Sequence, residues 1–339
     1  MFRDVLRMCR LKPGEVLLLH TDTVSNPHYP AACLGAGLDL GPRVYEITVP
    51  SQSLEIEEEV TIVRAWQEAD MVIDLVSVGA HLFSRLNIEA LRAGTRVLRI
   101  AESLDVLKRM FPDPAVRARS EAGARTLTLG NEMRITSPAG TDLTLHIEGR
   151  AGVAQHGVAD EPGRWDHWPS GLSLIAPVEG TVRGQLVADV GDLIFILGRY
   201  AGDPIRCEIE EGRVAHIEGG VDALLLTEWL AAQKAECAYL VGVVGWGTDP
   251  RARWDRVAWH FHGAAGVMDS ESYYGNVRIG LGNNASAMLK GKNRCKPHID
   301  IQLRNCDVWV DNHQVIEAGE FTDLEWRHTD NHSPQSPGS

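Results

Sequence analysis

The chain has 339 residues, with 33 Lys plus Arg against 46 Asp plus Glu for a net charge of −13; 44% of its residues are hydrophobic and 23% charged. At about 150 residues per domain this length accommodates two domains, and a chain of this size buries a large core without disulfide staples. The acidic balance excludes bulk electrostatic binding to nucleic acid or anionic lipid, because both require a basic footprint. The composition is that of an ordered globular protein.

The start, MFRDVLRMCRLKPGEV, carries charges throughout and has no apolar h-region, so no secretory signal is read there. No run approaches the ~20 apolar residues of a membrane helix. A cytoplasmic location is expected. The six cysteines, Cys9, Cys33, Cys207, Cys237, Cys295 and Cys306, form no CxxC pair and are expected to be reduced thiols. A symmetric homo-oligomer is expected for a soluble enzyme of this size.

In chain order, residues 16–19 read as a buried strand, 29–38 as a helix and 43–49 as a second strand. Residues 54–68 have helix composition, 70–76 and 95–100 are two more strands, and a helix over 104–110 stops at Pro112. Strands alternating with helices imply a parallel sheet covered on its faces. No GxGxxG or Walker loop follows a strand, so no nucleotide site is expected. A helical stretch over 115–127 carries the boundary. From Asn131 the texture changes to short strands at 133–137, 142–147, 180–190, 193–197, 206–211 and 213–218, separated by Gly, Asp and Pro. One helix interrupts at 222–234, with Asp222 as its expected cap. The fold expected is an α/β N-terminal domain with a mostly parallel sheet (1–125), then a β-rich α+β catalytic domain (126–328). The polar, Ser- and Pro-rich tail 329–339 is expected to be disordered.

Several segments carry chemistry. DEPGRWDHWPSG (160–171) holds Asp160, Glu161, Arg164, Trp165, Asp166, His167 and Trp168 between glycines and prolines, and reads as a loop able to do acid/base work or to anchor an anion. Gln155 and His156 precede it. Trp165 and Trp168 either cover a ligand or plug a domain interface. PHIDIQLRN (297–305) alternates strictly, so His298, Asp300 and Gln302 share one strand face. The i, i+2 spacing sets the His298 and Asp300 Cα atoms ~6–7 Å apart, close enough to reach one cation. The commoner reading of such a pair is a surface strand face. GWGTDPRARWD (245–255) offers Trp246, Arg251 and Arg253. His260 and His262 share a strand face and are candidate extra ligands, with Glu271, Tyr273 and Tyr274 nearby. His81 lies just past the 70–76 strand, where open α/β sheets bind ligands. Lys290, Lys292, Arg294 and Lys296 form a basic run, read as a solvated loop or an attractor of an anionic substrate.

NEMRITSPAGTDL (131–143), VAQHGVADEPGRWDHWPSG (153–171), GWGTDPRARWD (245–255), GLGNN (280–284) and HIDIQLRNC (298–306) together resemble the 2,5-dihydroxypyridine 5,6-dioxygenase family. That family is related to the aminopeptidase T-type thermophilic metallo-aminopeptidases, and the similarity runs from about residue 10 to 320. The resemblance implies two domains, a non-haem Fe(II) centre and O₂-dependent opening of a pyridine-diol ring. It implies His298 and Asp300 as metal ligands, His81 as a base, and Glu161 and His167 as the acidic and histidine positions of the loop. The sequence departs from the family pattern where a histidine and a serine ligand are expected: Val243 and Gly280 stand there.

The expected function is therefore Fe(II)-dependent, extradiol-type ring opening of a small hydroxylated aromatic or N-heteroaromatic compound. His81, Glu161 and His167 are its acid/base groups; Arg164, Trp165, Trp168 and Arg253 contact the substrate; His298 and Asp300 hold the metal, completed by His260, His262 or the substrate itself. The alternative is a hydrolase in the same cavity, either metallo-aminopeptidase-like or metal-free, because Val243 and Gly280 cannot coordinate a cation. The partners expected are the small substrate and O₂, with no nucleic acid and no membrane.

Overall fold

The computed structural model describes residues 1–51, 59–77, 81–256, 267–323 and 326. The expected tail, His260 and His262 lie outside the described residues. Among those described, no helix is long and apolar enough to cross a membrane.

The first part of the chain runs α1 (Phe2–Met8), β1 (Val16–Asp22), α2 (His28–Leu40), β2 (Arg43–Val49), α3 (Val60–Glu68), β3 (Met71–Asp74), α4 (Arg85–Ala93), β4 (Arg96–Arg99) and α5 (Leu104–Arg109). The four strands pair in parallel in the order β2-β1-β3-β4. Period-two alternation sends Leu17, Leu19, Met71, Ile73 and Leu98 to one apolar cluster and Leu18, Val72 and Val97 to another, so both sheet faces are covered. Helix α4 shows local control of its ends. The Ser84 side chain accepts from Asn87 N–H at its start, and Gly94 closes it at φ +98°.

Helix α6 (Pro114–Leu129) leads into the β-rich part, with Asp113 accepting from the N–H groups of Ala115 and Val116 and proline in its first turn. There follow β5 (Glu132–Thr136), β6 (Asp142–His146), β7 (Val153–Gln155), β8 (Trp165–His167), β9 (Leu172–Ile175), β10 (Arg183–Ala188), β11 (Leu193–Ile194), β12 (Ile205–Glu210) and β13 (Arg213–Gly219). After α7 (Val221–Ala232) come β14 (Val241–Gly247), β15 (Val277–Gly282), β16 (His298–Leu303), β17 (Asp307–Val310), β18 (His313–Glu317) and β19 (Glu320–Phe321). Two antiparallel sheets result, in the orders β13-β12-β10-β6-β5-β17-β18-β19 and β11-β16-β15-β14-β9-β7. They share one core, in which Ile135, Leu145, Leu186 and Ile209 of the first meet Val244, Ile279, Ile301 and Leu303 of the second. The architecture is thus a parallel α/β unit joined to an antiparallel β-rich unit.

Three expectations change. The 160–171 segment is not all loop, since Trp165–His167 pairs with β4 and becomes the fifth strand of the parallel sheet. Asp222 does not cap α7. Its carboxylate is tied to Arg199 and to the N–H groups of Gly202 and Asp203, while Asp203 accepts from Val221 N–H. Not all cysteines are free, because Cys237 and Cys295 are joined by a disulfide, their Cα atoms 5.8 Å apart. Sequence spacing hid this pair because 58 residues separate the two, and only the packing of the 236–239 turn against the approach to β16 brings them together.

Candidate active site

The site is built from two polar rungs on adjoining sheets. In the parallel sheet, one face carries the apolar row Leu18–Val72–Val97–Trp165, and the next row on that face is His20–Asp74–Arg99–His167. Four neighbouring strands thus each carry a buried polar side chain at or near their carboxyl ends, where open parallel sheets bind ligands. The chain then turns through His81–Phe83 and delivers His81 onto this row. His81 Nδ1 lies 2.9 Å from Asp74 Oδ2, and Arg99 Nη1 donates to the same oxygen at 3.2 Å. Burial raises the Asp74 carboxyl, but His81 and Arg99 outweigh it and hold the group well below the usual carboxylate range. His20 stacks on His81 with ring centroids 5.6 Å apart, and burial depresses its pKa to about 4. Burial, with the charge of Arg99 beside it, also takes His167 to about 4. His167 directs Nδ1 to the Pro169 carbonyl at 3.1 Å.

The second rung crosses β14, β15 and β16, where Val243 pairs with Gly280 and Gly280 with Asp300. His298 is the neighbour on the same face, and its Nε2 lies 3.3 Å from Asp300 Oδ1. Phe83, at the end of the His81 turn, packs on the His298 ring with centroids 4.6 Å apart. The two rungs are therefore joined through residues 81–83.

The expected site residues are placed unequally. His81, His167, His298 and Asp300 line these rungs. Glu161 is exposed on a turn. Arg164 donates to the Val158 and Ala154 carbonyls and to Asp166, so its guanidinium clamps the loop. Trp165 and Trp168 are core residues, with Trp168 packed edge-on to Phe2 and Phe111. Arg253 is half exposed and paired with Asp255. His156 is buried against Arg164. The run Lys290, Lys292, Arg294 and Lys296 is exposed.

Sequence reasoning missed Arg278 and named Glu271 only as a neighbour of the 260–262 histidines. Arg278 on β15 sends Nε and Nη2 to the two oxygens of Asp300, each at 2.7 Å, and Nη1 to Glu271 at 2.9 Å. Its Nη2 also stands 3.4 Å from His298 Nε2. Burial pushes Asp300 up, but Arg278 and His298 hold it well below the usual range, whereas burial drives Glu271 to about 7. No local spacing signals Arg278, whose partner Asp300 lies diagonally across the β15–β16 register.

The family model described as 2,5-dihydroxypyridine 5,6-dioxygenase matches residues 1–323. The chain belongs to the 2,5-dihydroxypyridine 5,6-dioxygenase family. It is 32% identical over 335 residues to the 2,5-dihydroxypyridine 5,6-dioxygenase of Pseudomonas putida KT2440, covering 94% of each chain. The solved structure of the Pseudomonas putida KT2440 enzyme superposes with a TM-score of 0.89 at 31% identity, covering 96% of this chain and 97% of that one. Wild-type AmpT from Thermus thermophilus shares the fold, with a TM-score of 0.64 at 14% identity over 95% and 99% of the two chains. The expected fold class and the family resemblance both hold, and the chain is an enzyme of the oxidoreductase kind.

Two places invite a metal. His20, Asp74 and His81 bring one ligand atom each to within 4.8 Å of one another, a donor set of two imidazoles and a carboxylate. Neither ring nitrogen of His20 has a hydrogen-bond partner among the described residues. Arg99 already balances Asp74, however, and His81 Nδ1 is spent on that carboxylate, so charge favours a hydrogen-bonded pair over a buried dication. At His298–Asp300, the position the family resemblance implies for Fe(II), the lone pairs a metal needs are taken by Arg278. Facing them, a Cβ on Gly280 would meet Asp300 Oδ1 at 2.9 Å, His298 Cε1 at 3.0 Å and Val243 Cβ at 3.3 Å. Those two strands therefore close on the pair without offering a third ligand. Among the described residues, the donors at this pair do not fit a divalent iron.

Proposed function

We propose that the enzyme opens the ring of a small dihydroxylated N-heteroaromatic compound, 2,5-dihydroxypyridine or a close analogue, with O₂. The observation that carries this reading is the Asp74–His81 pair. His81 sits at the carboxyl ends of the parallel strands with Nδ1 engaged and Nε2 available, in a chain similar over 94% of its length to a 2,5-dihydroxypyridine 5,6-dioxygenase. His81 takes a ring hydroxyl proton at Nε2; Asp74 holds the tautomer and stabilises the imidazolium; Arg99 fixes Asp74. His20 and Trp66, packed against the His81 ring, keep water from its inner side. His167 is the second titratable group of the row.

Fe(II) supplies O₂ binding and electron transfer where a family member holds it, but no step here is routed through it, because the His298–Asp300 pair does not fit the ion. Val243 and Gly280, standing where the family resemblance implies ligands and unable to coordinate a cation, favour the second reading, a metal-free hydrolase acting on an amide or ring C–N bond. The proposal includes a cytoplasmic, homo-oligomeric enzyme divided near residue 125. An oxygen electrode decides between the readings. Oxygen uptake on adding 2,5-dihydroxypyridine, with loss of the ring absorbance, supports ring opening. Ring or amide hydrolysis without oxygen uptake supports the hydrolase.

A further inference from the structure

The His298–Asp300 pair is buried, preorganised and already neutralised. We infer that the Arg278 guanidinium is the resident cation of this cup, that it excludes a divalent metal, and that ring opening in this protein proceeds without iron there. The second half rests on the function proposed above; the first does not.

Four observations converge on Arg278. Both Asp300 oxygens accept from it in a fork, the geometry in which a guanidinium binds a carboxylate most strongly. Its third arm is held by Glu271, so the side chain is pinned at both ends. It is 6% exposed and inseparable from Asp300 without leaving a buried charge uncompensated. His298 turns Nδ1 to the Asn283 carbonyl at 3.0 Å and its other nitrogen toward Arg278. An ion entering would have to evict a fixed +1 charge from between its own two ligands. Among the described residues only His298 and Asp300 would then hold it, whereas stable divalent sites have three or more protein ligands. Val243 and Gly280 complete the exclusion, one adding an apolar wall and the other leaving no donor.

The reaction then draws its electrons from the substrate. With the hydroxyl proton on His81, the ring anion transfers one electron to O₂, giving a ring radical and superoxide. Their combination forms a C–O bond at the ring carbon next to the oxygenated one. The terminal peroxide oxygen adds to that oxygenated carbon. Cleavage of the O–O bond and of the bond between the two carbons leaves a carboxylate and a formyl group. Both oxygen atoms enter the product, the proton held by His81 returns to solvent or product, and no other reductant is consumed.

The test is anaerobic titration with Mn²⁺ and Fe²⁺ of the full-length protein and of Arg278→Ala and Asp300→Asn. The wild-type protein is expected to bind no stoichiometric ion that Asp300→Asn abolishes. Arg278→Ala, checked for folding by circular dichroism, is expected to gain at least 10-fold in affinity. A wild-type ion lost in Asp300→Asn but kept in His20→Gln overturns the inference. A folded Arg278→Ala protein with unchanged affinity overturns the role given to the guanidinium. The wild-type and Asp300→Asn measurements decide the matter even if Arg278→Ala does not fold. Oxygen uptake by chelator-treated protein carrying under about 0.1 metal per chain supports the metal-free route, and uptake restored only by added Fe²⁺ overturns it. Absence of oxygen uptake under every condition sinks the proposed function while leaving the metal titration to stand alone.

Discussion

At the scale of single residues, the account depends on which side chains are free to act. His81→Ala is expected to lower kcat/KM by about 10²–10⁴-fold, the usual contribution of a positioned base, with the protein still folded by near-UV circular dichroism. Asp74→Asn is expected to lower kcat and to move the pH–rate profile, because an amide cannot stabilise the imidazolium as a carboxylate does. A mere packing role for Asp74 would leave the profile in place. His20 and His167 give a stability prediction. Both are held neutral in the folded protein with pKa values near 4, against about 6.5 in the unfolded chain. As pH falls below about 6.5 the unfolded state takes up protons first, so the stability these residues permit is complete above that value and is lost on going down to about 4, at most about 3 kcal/mol for each. Urea titrations from pH 8 to 4 should show this fall, and His20→Gln should make it shallower. The His-x-Asp spacing of 298 and 300 was legible because alternation fixes the shared face of a strand. Arg278 was not, because its contact with Asp300 is diagonal across two strands whose register no local pattern encodes.

At the scale of elements, helix α6 packs closely on the second unit. Its Gly123 lies where a Cβ would come 2.3 Å from Ser173 Oγ and 3.0 Å from Trp246 Nε1, so α6 packs on β9 and β14 only because that position is bare. Gly123→Val is expected to cost about 1–3 kcal/mol through overpacking, read as a lower urea midpoint at an unchanged slope. The strands of the first unit and the meander of the second were legible because each is a run of five to seven residues bounded by Gly, Asp or Pro, or a buried apolar run between helices. Strand β8 was not. It is three residues long, set among Trp, Gly and Pro, and it pairs with β4, whose residues lie far upstream. Its membership in the sheet is what places His167 on the row with Arg99, so an element read as loop completes the polar rung.

At the scale of the whole molecule, the units are stitched by pairs such as Arg109 with Asp269, at 2.7 and 2.8 Å, and Arg251 with the Phe111 carbonyl at 2.8 Å. The 237–295 disulfide closes a long loop on the flank of β16. Replacing Cys237 by Ser is expected to lower stability by roughly 2–4 kcal/mol, seen as a reduced urea midpoint in the absence of reductant. The family resemblance carried the overall plan because long strings such as DEPGRWDHWPSG and HIDIQLRNC persist, while the chemistry at the cup turns also on single positions, 243 and 278, that lie outside every such string. The most direct measurement is turnover of 2,5-dihydroxypyridine under ¹⁸O₂ with mass analysis of the product. Both labelled atoms are expected in the ring-opened product of the wild-type protein, and none is expected from His81→Ala over the same time. Product formed with its new oxygen drawn from water, or formed equally fast without His81, would contradict the account.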